Sequence, residues 1–188
     1  LRDYLFLGPF GDDSTTQAQQ MATDYIKTAT GNAWTESTIE PGYPTDAAGL
    51  NWIRHDGIDE IVALNWPFGG ISLKKRTGYA SVYVWSPIDQ TVGIATGSDN
   101  GIRMWVNGTL VLSDKDSVTR TVDYGQECTT VNLRAGWNRI LFKLSAGSSD
   151  YMRLVSQIIN PNSYSGFPGW DPNIQPIEGI GYLLNPQH

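Results

Sequence analysis

Between residues 79 and 144 the chain is committed to antiparallel β-structure. Six runs rich in β-branched and aromatic residues follow one another: 79–85, 91–96, 102–107, 109–113, 128–133 and 137–144. Turn residues separate them and no helical pattern intervenes, which argues against parallel βαβ units. Asn107-Gly108 lies between two of these runs. That dipeptide is the strongest short hairpin signal, because a type I′ turn needs positive φ at both central residues. Arg134-Ala135-Gly136 makes a second turn. Closely spaced strands of this kind predict a sandwich or a barrel.

The flanks add less. Tyr4-Leu5-Phe6-Leu7-Gly8-Pro9-Phe10 reads as an apolar strand ended by Gly-Pro. Ala18, Met21, Ala22, Tyr25 and Ile26 recur with helical spacing and predict one short helix over 15–28, with Ser14 and Gln17 as a capping box. Residues 31–78 read as long ordered loops with one or two short strands, the best at 60–64. Residues 152–159 read as a last core strand. The stretch 160–188 holds five Pro but also Trp170 and Tyr182. It is expected to wrap the sandwich, with an edge strand at 179–184. The whole of 1–188 is taken as one domain.

Formal net charge is −6, from 13 Lys plus Arg against 19 Asp plus Glu. An acidic balance argues against nucleic acid or an anionic membrane as the main partner. No apolar run approaches the ~18 residues of a membrane span. One Cys, Cys128, excludes an internal disulfide framework. The opening Leu1-Arg2-Asp3-Tyr4 lacks Met. The expectation is one module of a larger exported protein.

The stretch Gly97-Ser98-Asp99-Asn100-Gly101-Ile102-Arg103-Met104-Trp105-Val106-Asn107-Gly108-Thr109-Leu110-Val111, with Leu133-Arg134-Ala135-Gly136-Trp137-Asn138-Arg139-Ile140-Leu141-Phe142-Lys143 after it, resembles accessory β-sandwich modules of bacterial polysaccharide-degrading enzymes. It is also similar to the protective-antigen-type sandwich of toxins, glycosidases and yeast adhesins. Leu7-Gly8-Pro9-Phe10 is similar to the start of many of the former. The resemblance implies an all-β, jelly-roll-like antiparallel sandwich and a secreted or cell-surface bacterial module that recognises polysaccharide beside a catalytic domain. In the adhesins, two consecutive aspartates of the matching loop bind calcium and help hold a sugar. Asp99-Asn100 stands there, with an amide in place of the second carboxylate. Calcium accepts amide oxygen, so structural calcium is expected at Asp99 and Asn100, with Asp12 and Asp13 as a further acidic pair. Asp114 and Asp116 lack the Gly and distal Glu of an EF-hand loop.

A sugar site needs aromatic faces for the C–H surface of a pyranose and polar groups for its hydroxyls. Alternation places Tyr79, Tyr83 and Trp85 on one strand face, and Arg103, Trp105 and Asn107 on one face of another. If the aliphatic faces form the core, Tyr83, Trp85, Arg103 and Trp105 form a platform. The competing expectation buries those aromatics under the tail or in the core. Trp34, Tyr43, Trp52, Trp66 and Trp170 lie in loops, where a scaffold can present them to ligand or use them as anchors. Trp137, after a Gly turn, reads as a structural plug.

Catalysis has less behind it. Glu36, Glu40, Asp56, Asp59 and Glu60 offer carboxylates for glycoside hydrolysis, but nothing in their spacing brings a pair to one sugar. His55-Asp56 lacks a nucleophile elbow. Three classes of function therefore stand: a non-catalytic polysaccharide-binding module, a spacer or docking sandwich packed on a catalytic domain, and a small carbohydrate-active enzyme.

Overall fold

The computed structural model describes residues 1, 3–56, 60–164, 177 and 179–183. The strands are β1 Tyr4–Phe10, β2 Ile53–His55, β3 Val62–Ala63, β4 Thr77–Ser86, β5 Gln90–Ser98, β6 Ile102–Val106, β7 Thr109–Lys115, β8 Glu127–Leu133, β9 Gly136–Ser145, β10 Arg153–Ile159 and β11 Gly181–Leu183. They form two antiparallel sheets. The larger runs β2-β1-β4-β9-β6-β7, with β11 paired to the far half of β4, and the smaller runs β3-β10-β5-β8. The all-β sandwich expected from the strand pattern is the fold. Asn107 and Gly108 have φ of 50° and 83°, as their hairpin requires.

The core lies between the sheets. Phe6, Val82, Val84, Met104, Ile140 and Phe142 face Ile94, Leu154 and Ile158 across it. Tyr4 reaches across to share a 2.7 Å hydrogen bond with Ser156. On β1 the opposite parity, Leu5 and Leu7, is equally buried. The Tyr4-Leu5-Phe6-Leu7 run lacks alternation because both of its faces are covered.

The cover on the outer face of the large sheet comes from residues 11–52. Two short helices replace the single one expected: α1 Gln17–Ala22 and α2 Tyr25–Ala29. Ser14 is turned toward Asp12, whose carboxylate takes its amide at 2.8 Å, so the capping box forms two residues later from Thr16 and Gln19. Thr23 is extended, and Asp24 caps α2 by accepting from the Lys27 amide at 2.8 Å. This break lets Met21 and Ile26 both be buried. The 60–64 strand shortens to β3. Of the tail, Asn160–Tyr164 reaches the small sheet, where Tyr164 donates to the Gly125 carbonyl at 2.7 Å. Trp170 lies outside the described residues.

The small sheet carries its own strap. Val122 donates its amide to Asp99, and the Arg120 guanidinium bonds the Ser98 carbonyl and Glu127. A Cβ on Gly97 would stand 1.7 Å from the Asp123 carbonyl oxygen. Gly97→Ala must lift this strap, and we expect a loss of about 1–3 kcal/mol in urea unfolding. An unchanged midpoint would show that the strap does not press on the sheet.

Candidate functional site

The outer face of the large sheet is where alternation gathers the polar and aromatic residues. Register places Trp85 opposite Trp137, Tyr83 opposite Arg139, Arg103 opposite Lys143 and Trp105 opposite Leu141. The predicted sharing of a face is correct. The predicted open platform is not what these residues form. Trp105 is 3% exposed, because Ile26, Ile39 and Trp52 of the cover pack onto Leu5, Leu7, Tyr79, Trp105 and Leu141, and Tyr83 is 6% exposed, its hydroxyl on Glu40 of the cover. Arg103 is half-buried on Asp116, to which its Nε donates at 2.7 Å. Trp52 is an anchor whose Nε1 donates to Asp46 at 2.6 Å, and Trp34 packs against the same apolar cluster.

At the centre of the covered face lies a buried acid–base cluster. The Lys143 ammonium is fully buried. It donates to Glu36 Oε1 at 2.8 Å, to the Met21 carbonyl at 2.9 Å, and to the Thr23 carbonyl. Tyr79 donates to the same carboxylate oxygen at 2.7 Å and accepts the Tyr25 amide at 3.2 Å. Burial pulls the Lys143 pKa down against the pull of Glu36. Burial pushes the Glu36 carboxyl up against the pull of Lys143. The Tyr79 phenol is raised by burial and then by Glu36. The cluster ties the ends of both helices and the 36–40 loop to β4 and β9.

Beyond the cover the same face opens. Trp85 is 42% exposed, and its ring meets that of Trp137 edge to face, with centroids 5.3 Å apart and planes at 69°. One step inward, Glu40 accepts the Tyr83 hydroxyl at 2.6 Å and stands 3.6 Å from Arg139 Nη1. The Glu40 side chain is 58% exposed, whereas that of Arg139 is 4% exposed and donates through Nη2 to the Ser37 carbonyl at 2.8 Å. Arg139 Nε and Nη1 have no hydrogen-bond partner among the described residues. Trp85 is thus the platform residue left open, and Trp137, read from sequence as a plug, is its partner. Only the β4–β9 register reveals that pairing.

Among the described residues, Trp66 does not join this site. Trp66 is 77% exposed on a turn whose Asn65 is bonded to the Ile71 and Asp150 carbonyls, beside exposed Ile71 and Tyr151. That end of the sandwich belongs to the start of β4. At ~3.3 Å per residue the start of β4 lies about 26 Å from Trp85. Tyr43 is exposed before Pro44. The carboxylates weighed for hydrolysis are dispersed. Glu36 is buried on Lys143, Asp56 bonds Arg54 at 2.7 Å, Glu60 accepts from Tyr124 at 2.7 Å, and Asp59 lies outside the described residues.

The expected calcium ligands are already engaged. Asp99 is buried against the Arg153 guanidinium and accepts the Val122 amide at 2.6 Å. Asn100 donates to the Ala146 carbonyl at 2.6 Å. Asp12 accepts from Ser14, which lowers its pKa, and Asp13 faces Arg76 at 3.1 Å. Among the described residues no three His, Cys, Asp or Glu side chains converge. A position filled by a guanidinium and an amide donor does not fit a divalent cation.

No protein-family model matches the sequence, and no curated protein matches it. Solved structures do resemble it at low identity. One is an anti-sigma factor domain-containing protein from Clostridium clariflavum, with TM-score 0.40 and 14% identity over 68% of this chain and 43% of that one. A second anti-sigma factor domain-containing protein gives TM-score 0.39 and 16% identity over 69% and 44%. A beta-glucosidase from Kluyveromyces marxianus, solved in complex with glucose, gives TM-score 0.41 and 12% identity over 84% and 19%. This chain spans less than half the length of each.

Proposed function

We propose that this chain is a non-catalytic carbohydrate-binding sandwich, an accessory module of an extracellular bacterial polysaccharide-degrading protein, and that Trp85, Trp137 and Glu40 form its glycan site. The observation that carries the reading is an exposed indole on the strand face that also carries Tyr83, whose hydroxyl holds the exposed Glu40 carboxylate in place. The ring offers an apolar face to a pyranose and Glu40 accepts its hydroxyls. One such site gives weak binding, which tethering to a catalytic domain would raise. The test is titration of the chain with soluble xylans, glucans and mannans, following tryptophan fluorescence and released reducing sugar. Saturable quenching without release supports the reading. No response to any glycan sinks it.

A docking role has one observation in its favour: the exposed Trp66, Ile71 and Tyr151 group at the opposite end. Glycan binding that is lost in Trp66→Ala but kept in Trp85→Ala would move the glycan site to that end.

Calcium is no part of the proposed site. Because Arg153 occupies Asp99, millimolar calcium or a chelator is expected to leave both the thermal midpoint and glycan binding unchanged. A calcium-dependent rise in midpoint would mean that the cation displaces Arg153.

A further inference from the structure

Resting on the reading that Trp85 marks a glycan site, we infer that its ligand is a soluble, neutral glycan gripped at a single sugar ring, rather than a crystalline polysaccharide face or a uronate chain. A crystalline face is flat, and a site for it needs several aromatic rings lying in one plane. Here the two rings meet at 69°, and Trp137 is only half-exposed. They form a corner, with one ring as floor and the edge of the other as wall. No third exposed aromatic ring extends this corner along the described part of the sheet face, since Tyr83 and Trp105 are under the cover.

The corner has one polar end. Tyr83 and Trp85 are two residues apart on one strand face, about 7 Å along the strand, and Glu40 is held on the Tyr83 hydroxyl. That separation suits one ring, with its face on an indole and its hydroxyls on the carboxylate. Gly136 and Gly181 flank the indole. A Cβ on Gly136 would lie 3.9 Å from the Trp85 ring and one on Gly181 3.7 Å from Trp85 Cβ, both at ordinary van der Waals contact.

Charge sets the second restriction. Glu40 presents its carboxylate to solvent, while Arg139 turns its guanidinium inward to Ser37. The charges at the corner are the exposed Glu40 carboxylate and the exposed Arg134, whose Nε donates to the Trp137 carbonyl at 3.4 Å. With the ring seated between the indole and Glu40, a uronate carboxylate on the Glu40 side would be repelled and a neutral hexose or pentose would not.

The test uses the intact chain with xylo-, cello- and manno-oligosaccharides of two to six units, oligogalacturonates of the same lengths, and a pull-down on microcrystalline cellulose. For the neutral series that binds, affinity is expected to vary by less than about threefold from three to six units. Oligogalacturonates are expected to bind at least about tenfold more weakly, and Glu40→Gln should narrow that gap by about threefold or more. The chain is expected to stay in the supernatant over microcrystalline cellulose. A tenfold gain with length, or Trp85-dependent retention on cellulose, would overturn the single-ring corner in favour of an extended platform. Equal affinity for uronates would remove Glu40 from the ligand. Failure to bind any of these glycans overturns the carbohydrate reading itself, a result distinct from the other two.

Discussion

Lys143→Met is expected to cost about 3–5 kcal/mol of unfolding free energy, the range for removing one partner of a buried ion pair. The loss has two parts. The Met21 and Thr23 carbonyls lose a donor, and Glu36 keeps its burial while losing the cation that favours its charged form. The Glu36 carboxyl already titrates above its ordinary 4.5, because burial outweighs Lys143. Without Lys143 it must climb further. A carboxyl whose folded pKa lies above its unfolded value contributes stability that is full below the unfolded value and is lost as pH rises through the folded one. The variant should therefore be most stable at the acid end and weaken as pH rises from about 4.5 toward neutrality. Adding Glu36→Gln removes the stranded charge and keeps an acceptor for the Tyr79 hydroxyl. The double variant should recover more than about 1 kcal/mol relative to Lys143→Met. Urea unfolding at several pH values checks all three statements. A cost below about 1 kcal/mol for Lys143→Met would mean that the cluster does not hold the cover down.

Trp85→Ala is expected to weaken glycan binding about 30-fold or more, as for an aromatic at the centre of a binding site. Its effect on stability should be small. The side chain is partly exposed, and the edge-to-face contact with Trp137 is worth about 0.5–1.5 kcal/mol. Trp66→Ala, at the other end of the sandwich, should leave affinity within about twofold of the parent chain. Isothermal titration with the best neutral oligosaccharide separates these outcomes. A Trp85→Ala protein that binds normally would remove the corner from consideration, whatever the glycan.

The strands were legible because their signal is local. Alternation in 79–85 and 102–107, with Asn107-Gly108 between 102–107 and 109–113, determines both the strands and which side chains share a face. The cover was not legible, because its anchors Trp34, Ile39 and Trp52 follow no period and sit among Gly, Pro, Thr and Asp. Its trace is indirect. Leu5, Leu7, Tyr79, Trp105 and Leu141 are large apolar residues at the parity that a one-sided sheet would leave polar. Lys143, between Phe142 and Leu144, falls by alternation on the face opposite theirs. Its partner Glu36 is 107 residues away, and only the assembled sheet brings them together. The Trp85–Trp137 contact was out of reach for the same reason: the two rings meet across a non-local ladder.

β1 and β2 are antiparallel neighbours, with Tyr4 opposite His55 and Phe6 opposite Ile53. The whole covering layer therefore occupies the position of a single hairpin connection. Closing a longer loop costs little more than closing a short one, since the entropy grows only with the logarithm of length. For a protein engineer this makes residues 11–52 a cassette. It can be exchanged for another insert that returns the chain from Phe10 to Ile53, which pairs with Phe6 four residues back. The price is a bare patch around Tyr79, Trp105 and Lys143, which the replacement must be written to dress.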